Sequence, residues 1–317
     1  MAARRIPLAL IPAILAITLA SPAQQQPSSS TYIDLPLAQL QRQIPALAGL
    51  HPAQDDLNLP LILSAIADSI ATQVPKLPNI IAREEVYRTQ RRSGQQAPDK
   101  MIAVSRNQGA GIVLAPEDAR GEEFRYILLC HHTEKAISVE ESRTDPSGHP
   151  VNLVRAAGSP LGSGFAYQWL LFSSANQFEF NFRYLGRQTI EGRETDVIAF
   201  AQLPERVRSP AVFTWQDKQA SYYYQGVLWA DADTGQIVLL HTDLLWPLPK
   251  MQLRGLTTEL HFGPIRLPGF DPGLNGDLWL PQAVHLTITQ DRYDIDELHQ
   301  YSDYHLYHSQ ATIVPAQ

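Results

Sequence analysis

Beyond Pro78 the apolar residues of this chain stop recurring every three to four positions and begin to recur every two. That change of period constrains the fold more than any other feature of the sequence. Phe178, Phe180, Phe182 and Tyr184 alternate with Glu179, Asn181 and Arg183. Successive side chains of a strand point to opposite sides, so the aromatics share one face and the polar groups the other. Glu191-Gly192-Arg193 turns the chain into a second run, Thr195 to Ala201, and the two are expected to pair as a hairpin. Tyr222 to Ala230 and Ile237 to Leu245 flank Asp231-Ala232-Asp233-Thr234-Gly235-Gln236, where Gly235 can take the left-handed backbone of a short hairpin loop. Further strands are expected from Ile80 through Tyr87, from Phe124 to Cys130 paired with Ala136 to Ser142, and near Leu253 to Pro264, Leu278 to Gln290 and His299 to His308. Neighbours in sequence tend to be neighbours in a sheet, so one meandering antiparallel sheet is expected. Gly158 to Gly164 reads as a loop opening a short helix, Phe165 to Phe172.

Ahead of Pro78 the pattern is helical. Asn58 is placed as a cap and Pro60 suits a first turn. Leu59, Leu63, Ile66, Ile70 and Val74 then recur at helical spacing until Pro75 stops the run. A shorter helical pattern covers Leu35 to Leu50 and is broken at Pro45. Gln24 to Thr31 consists of Gln, Pro, Ser and Thr with one Ala-free stretch of low hydropathy, which buries nothing and reads as a flexible leader. Met1-Ala2-Ala3-Arg4-Arg5, the apolar run Ile6 to Ala20 and the small residues Ser21-Pro22-Ala23 have the layout of a cleavable Sec-type signal peptide. A spanning helix needs about 20 apolar residues, and this run is shorter and carries Pro7 and Pro12. The expected organisation is a signal peptide over 1–23, a flexible leader over 24–34, an N-terminal helical segment over 35–76 and a β domain over 77–317.

Removal of the signal would take two of the 25 basic residues and none of the 32 acidic ones, moving the formal charge from −7 to −9. With no Lys/Arg cluster beyond Arg91-Arg92, neither nucleic acid nor an anionic lipid surface is an expected partner. The one cysteine, Cys130, excludes an intramolecular disulfide, and no cysteine follows the apolar run to carry a lipid. A periplasmic or secreted protein is expected, with no lipid anchor and no integral membrane span in the mature chain.

Candidate chemistry is sparse. Asp231 to Gly235 is similar to the start of a calcium loop but lacks the ligands that complete one, and Asp and Gly are ordinary turn residues. His131, His132 and Glu134, and His299, His305 and His308, have no metal-ligand spacing and read as surface or strand-pairing groups. No GxSxG elbow or phosphate loop occurs. Cys130 follows Ile127-Leu128-Leu129, where burial would raise its pKa and make it inert. Glu140, Glu141, Asp294, Asp296 and Glu297 read as a solvated face. No catalytic residue, metal or cofactor is therefore expected. The remaining candidates are aromatic: Phe178, Phe180, Phe182, Tyr184, Trp229 and Trp279, as core or as the lining of an apolar cavity.

Several segments together resemble an uncharacterised family of secreted bacterial proteins with a LolA/RseB-like domain. They include Gln43 to Leu50, Ile81 to Glu85, Phe182 to Gly186, Asp196 to Gln202, Gln225 to Trp229, His241 to Leu245 and Tyr301 to Tyr304. The second half, with a hairpin around Gly192 followed by a Leu-Trp-x-Asp-x-x-Thr-Gly-x-Ile hairpin, is similar to periplasmic lipoprotein carriers of the LolA type and to RseB-like envelope-stress sensors. The resemblance implies an α+β fold: a curved antiparallel sheet, an unclosed half-barrel, with covering helices and an apolar cavity on its concave face. It implies a non-enzymatic envelope protein whose partner is a lipid, an acyl chain or another hydrophobic ligand. An interaction or sensor module for another envelope protein would instead fill the concave face with its own side chains. A secreted hydrolase would need polar groups to converge, such as His299 or His305 with Asp303.

Overall fold

The computed structural model describes residues 30–95, 101–106, 112–116, 119–132, 137–151, 168–215, 218–270 and 277–307. Helix α1 (Leu37–Gln43), strand β1 (His51–Pro52) and helix α2 (Leu59–Gln73) come first. They precede β2 (Ile80–Arg92), β3 (Met101–Arg106), β4 (Ile112–Pro116), β5 (Arg120–His132) and β6 (Ile137–Thr144). The rest are β7 (Phe180–Ile190), β8 (Arg193–Gln202), β9 (Ala211–Trp215), β10 (Lys218–Tyr222), β11 (Tyr224–Asp231), β12 (Ile237–Leu244), β13 (Leu253–Ile265), β14 (Leu278–Gln290) and β15 (Tyr293–Leu306). The loop expected at Gly158 to Gly164, and His308, lie outside the described residues.

Eleven strands form one antiparallel sheet in the order β1-β7-β8-β11-β12-β13-β14-β15-β2-β5-β6, and its end strands β1 and β6 do not meet. The fold is the expected unclosed antiparallel sheet with few helices. Both anticipated hairpins form. Glu191 and Gly192 have φ of 50° and 80°, the left-handed pair that a two-residue hairpin loop requires. In the β11–β12 loop Gly235 has φ of 69°. There one oxygen of Asp231 accepts the Asp233 and Thr234 amides at 3.1 and 2.9 Å and the Thr234 hydroxyl at 2.9 Å, so the carboxylate is spent on the turn. From β7 to β15 the sheet follows chain order, with the β9–β10 hairpin outside it. The departure from a simple meander is that β2 pairs with β15, joining an early strand to the last one, and β5 and β6 continue beyond it. Short turns announce hairpins; a pairing that closes a loop of some two hundred residues has no local signal.

Alternation in the central strands feeds two separate cores. In β8 and β11, Ile198, Phe200, Leu228 and Ala230 enter one core, which runs the length of the sheet. Val197, Ala199, Val227 and Trp229 enter another on the opposite face. The N-terminal segment covers both faces. Leu40, Ile44 and Leu47, from α1 and the 3-10 turn that begins at Pro45, pack on the second core. Ile66 and Ile70 of α2 pack on the first. Between them the chain rounds the sheet edge at β1, where His51 and Pro52 pair with Arg187 and Gly186. Gly186 has φ of 135°, and a Cβ there would lie 2.0 Å from the His51 carbonyl oxygen, so this crossing admits glycine only. Asn58 stands just before α2 as expected, but its side chain makes no capping bond.

The outer layer begins earlier than the leader boundary at 34. Tyr32 is buried in the second core, its amide donates to Gln225 at 3.0 Å and its hydroxyl donates to Asp243. Gln188 fastens the same layer: its amide nitrogen donates to the Ala46 and Ala48 carbonyls, both at 2.8 Å, and its oxygen accepts the Trp229 indole N–H at 3.0 Å. Gln188→Leu would leave those groups buried without partners, each worth about 1–3 kcal/mol. Urea denaturation should show a loss of at least about 2 kcal/mol, and amide exchange should quicken first in residues 31–50.

Candidate functional site

The inner face of the sheet carries the longer core. Its floor runs from Phe180 and Phe200 through Leu240, Leu260 and Leu286 to Tyr301, Ile80 and Leu128. Its roof has three parts: α2 through Ile66 and Ile70, the 3-10 turn Gln168–Phe172 through Trp169 and Phe172, and the β9–β10 hairpin through Phe213. The Phe172 ring stands edge-on to Phe200 at 4.9 Å and 5.6 Å from Phe180, distances at which aromatic pairs attract. Gln177 ties roof to roof by donating to the Leu63 carbonyl of α2 at 2.8 Å and to the Phe172 carbonyl at 3.0 Å.

The six aromatics singled out from the sequence do not all share this face. Phe180 is buried in the inner core, and Phe182 and Tyr184 pack against it partly exposed. The Tyr184 hydroxyl donates to Asp196 at 2.8 Å. Trp279 is also inner, its indole N–H donating to the Ile237 carbonyl at 2.7 Å, with the Arg193 guanidinium 5.0 Å from its ring. Phe178 precedes the strand in a 3-10 turn and stands 48% exposed beneath the Arg208 guanidinium, so the run of alternation starts at Phe180. Trp229 is fully buried on the outer face under the α1 layer. Its parity in β11 is opposite to that of Leu228, and the sequence carried no sign of which side the inner roof would cover.

At the far end of the floor the apolar space among Ile80, Tyr126, Leu128, Leu280, Pro281, Tyr301 and Tyr304 measures about 10 Å³. That is room for about one water. Beside it runs a buried ionic chain. Arg143 of β6 reaches across β5 to Glu84 of β2, with one nitrogen 2.9 Å from Glu84 Oε1 and Nε on the other oxygen. Glu84 Oε1 lies 2.8 Å from His299 Nδ1, His299 Nε2 lies 3.3 Å from Glu297, and Glu297 accepts Arg88 Nε at 2.6 Å. The side chains of Arg143, Glu84, His299 and Glu297 are fully buried. Burial alone would raise the Glu84 pKa, but Arg143 and the His299 hydrogen bond overcome it and hold it at about 2. Burial works against charge on His299, and its hydrogen bonds to Glu297 and Glu84 outweigh this and raise its pKa. With a carboxylate at each ring nitrogen, the imidazolium is the form that satisfies both.

This chain corrects two expectations. Glu297 and His299 are interior groups, because β15 places Glu297, His299 and Tyr301 on the same face as the core residue Ile295. His299 faces Glu84 and Glu297, while Asp303 and His305 are exposed around a β-bulge, so His299 and Asp303 do not converge as the hydrolase alternative required of that pair. Glu84 and Arg143 were missed altogether. The available signal was a charged residue in an apolar parity: Glu84 interrupts the buried series Ile80, Ala82, Val86. Cys130 is buried and its pKa is pushed up to about 11 by burial, as expected of an inert thiol.

No family model matches this sequence, and no curated protein does. Solved structures do. The chain is similar to a domain assigned to outer membrane lipoprotein sorting from Vibrio parahaemolyticus, at 13% identity and a TM-score of 0.36 over 76% of this chain and 90% of that one. It is similar to a DUF1329 family protein from Desulfovibrio piger, at 9% identity and a TM-score of 0.39 over 80% and 94%. It is also similar to MucB in complex with MucA(peri), at 9% identity and a TM-score of 0.21 over 75% and 93%. No helix among the described residues is long and apolar enough to cross a membrane.

The ionic chain sets a pH window. Glu84, with its pKa lowered from 4.5 to about 2, contributes stability that is present above about 4.5 and is lost as the pH falls toward 2. His299, with its pKa raised above 6.5, contributes stability that is present below 6.5 and is lost as the pH climbs through its folded value. Urea midpoints should therefore be highest between about pH 5 and 6.5. Glu84→Gln should cost about 3–5 kcal/mol there by removing the buried carboxylate that Arg143 and His299 share. The decline of the variant between pH 4.5 and 2 should be shallower than that of the wild type, with Glu259, also held low, keeping its own share.

Proposed function

We propose that this chain is a non-enzymatic binding module of the cell envelope whose inner face accepts a lipid, an acyl chain or a similar hydrophobic ligand when its roof moves aside. The observation that carries this reading is that the apolar floor reaches the base of a groove whose walls are otherwise polar. Leu77, Leu278 and Trp279 belong to the inner core and also line a groove of about 500 Å³ between α2 and the β11–β12 loop. The roof is made of separate short elements rather than of a second sheet, so it can part without unpairing a strand of the main sheet. In the state described the space among Ile80, Tyr126, Leu128, Leu280, Pro281, Tyr301 and Tyr304 holds about 10 Å³, against the several hundred of an ordinary ligand site. A ligand lying over Phe180 and Phe182 would displace Phe172, which packs on both. Phe180, Phe182 and Trp279 are the candidate contacts, with Phe178 and Tyr184 at the rim, and Trp229 would act only by supporting the sheet from its other side.

That same small volume favours a second reading, in which the filled interior is permanent and the protein recognises another envelope protein by its surface. One comparison separates them. Protein purified from its native host should carry lipid in native mass spectrometry and should bind N-phenyl-1-naphthylamine. Phe172→Ala, at a stability cost of about 3–5 kcal/mol, should bind the dye more strongly. A lipid-free protein that takes up no dye, in both wild type and Phe172→Ala, rejects the hydrophobic-ligand reading and leaves the interaction module.

A further inference from the structure

On the outer face, between α1 and the chain that links β12 to β13, lies a groove of about 470 Å³, within the ordinary range of ligand sites. One wall carries Gln39 and Gln43, and the other carries Leu245, Trp246 and Pro247. Its charged and floor groups are already engaged within the protein. Gln225 accepts the Tyr32 amide at 3.0 Å and donates to the Leu244 carbonyl at 3.2 Å. Asp243 accepts the Tyr32 and Thr257 hydroxyls and lies 2.9 Å from His241. Arg254 donates to the Gln290 carbonyl at 2.6 Å and to Ser93.

What remains for a ligand is two carboxamides and an indole. Gln39 and Gln43 lie four residues apart on α1 and so share a face. Among the described residues neither carboxamide has a hydrogen-bond partner. Trp246 is partly exposed, and the Tyr223 ring braces it at 5.4 Å, tilted by 50°.

We propose that this groove is a second binding site, for a neutral oligosaccharide bearing N-acetyl groups. A carboxamide donates and accepts at once, which matches an acetamido group in a paired hydrogen bond. A braced indole offers an apolar plane to the C–H face of a sugar ring. An anionic ligand finds no uncommitted cation on the floor, because Arg254 is taken.

Isothermal titration of the full mature chain with chitotetraose and with cellotetraose, which lacks acetamido groups, tests this. Saturable binding of chitotetraose is expected, with cellotetraose at least about 10-fold weaker, the scale of two lost hydrogen-bonded groups. The exposed double variant Gln39→Ala/Gln43→Ala should lose about 10-fold in chitotetraose affinity with an unchanged melting temperature, and should close the gap between the two sugars. Trp246→Phe should retain binding and Trp246→Ala should lose it. Failure of chitotetraose to bind, equal binding of cellotetraose, or a glutamine double variant with unchanged affinity would overturn the proposal. Dye uptake by the inner face is read separately and stays the same in the glutamine double variant, the one to compare since Trp246 also packs against the inner core.

Discussion

A sheet that does not close has to have both faces covered by something else, and here one short N-terminal segment supplies cover to both. It lies along the outer face as far as Leu50, rounds the edge where His51 meets Gly186, and returns as α2 over the inner face. The crossing depends on a single position without a Cβ. Everything with functional promise is placed by it: α1 forms a wall of the outer groove, and α2 forms a wall of the inner entrance. The same segment keeps the large aromatic Trp229 out of water on one side while Phe180 and Phe200 are sealed on the other.

The ionic chain does a different job at the opposite end of the sheet. Burying an ion pair is costly, and well-packed apolar residues often serve stability as well or better. What charges do offer is discrimination between registers. Glu84 faces Tyr301 and Val86 faces His299 across the β2–β15 pairing. A slip of one residue would turn Glu84 away from His299 and toward the other side of the sheet, taking from buried Arg143 and His299 the carboxylate they share. Since β2 and β15 are brought together over most of the length of the chain with no turn between them, a penalty of that kind selects the pairing that the local sequence leaves open.

Much of the architecture was legible because it is local. The helix from Leu59, its stop at Pro75, the hairpins at Gly192 and Gly235 and the strands β7, β8 and β11 to β14 each follow from spacing and turn chemistry within some twenty residues. The β9–β10 hairpin escaped notice because Ala211 to Tyr222 shows no clean alternation, and the start of β7 was read two residues early because Phe178 continues the aromatic series while sitting in a 3-10 turn. Of the candidate site, Phe180, Phe182, Tyr184 and Trp279 lie together on or beside the inner core, whereas Trp229 does not.

By itself, then, the sequence determined that the chain is an antiparallel sheet with an amphipathic helix ahead of it, since period and turn residues act at short range. Only the tertiary structure decided which parity of each strand faces which cover, and that Glu84, Arg143, Glu297 and His299 leave water together. Parity within a strand separates its residues into two sets but does not say which set the rest of the chain will cover. A charged residue in an apolar series becomes tolerable only when partners from distant strands arrive beside it, and neither fact exists until the strands have met.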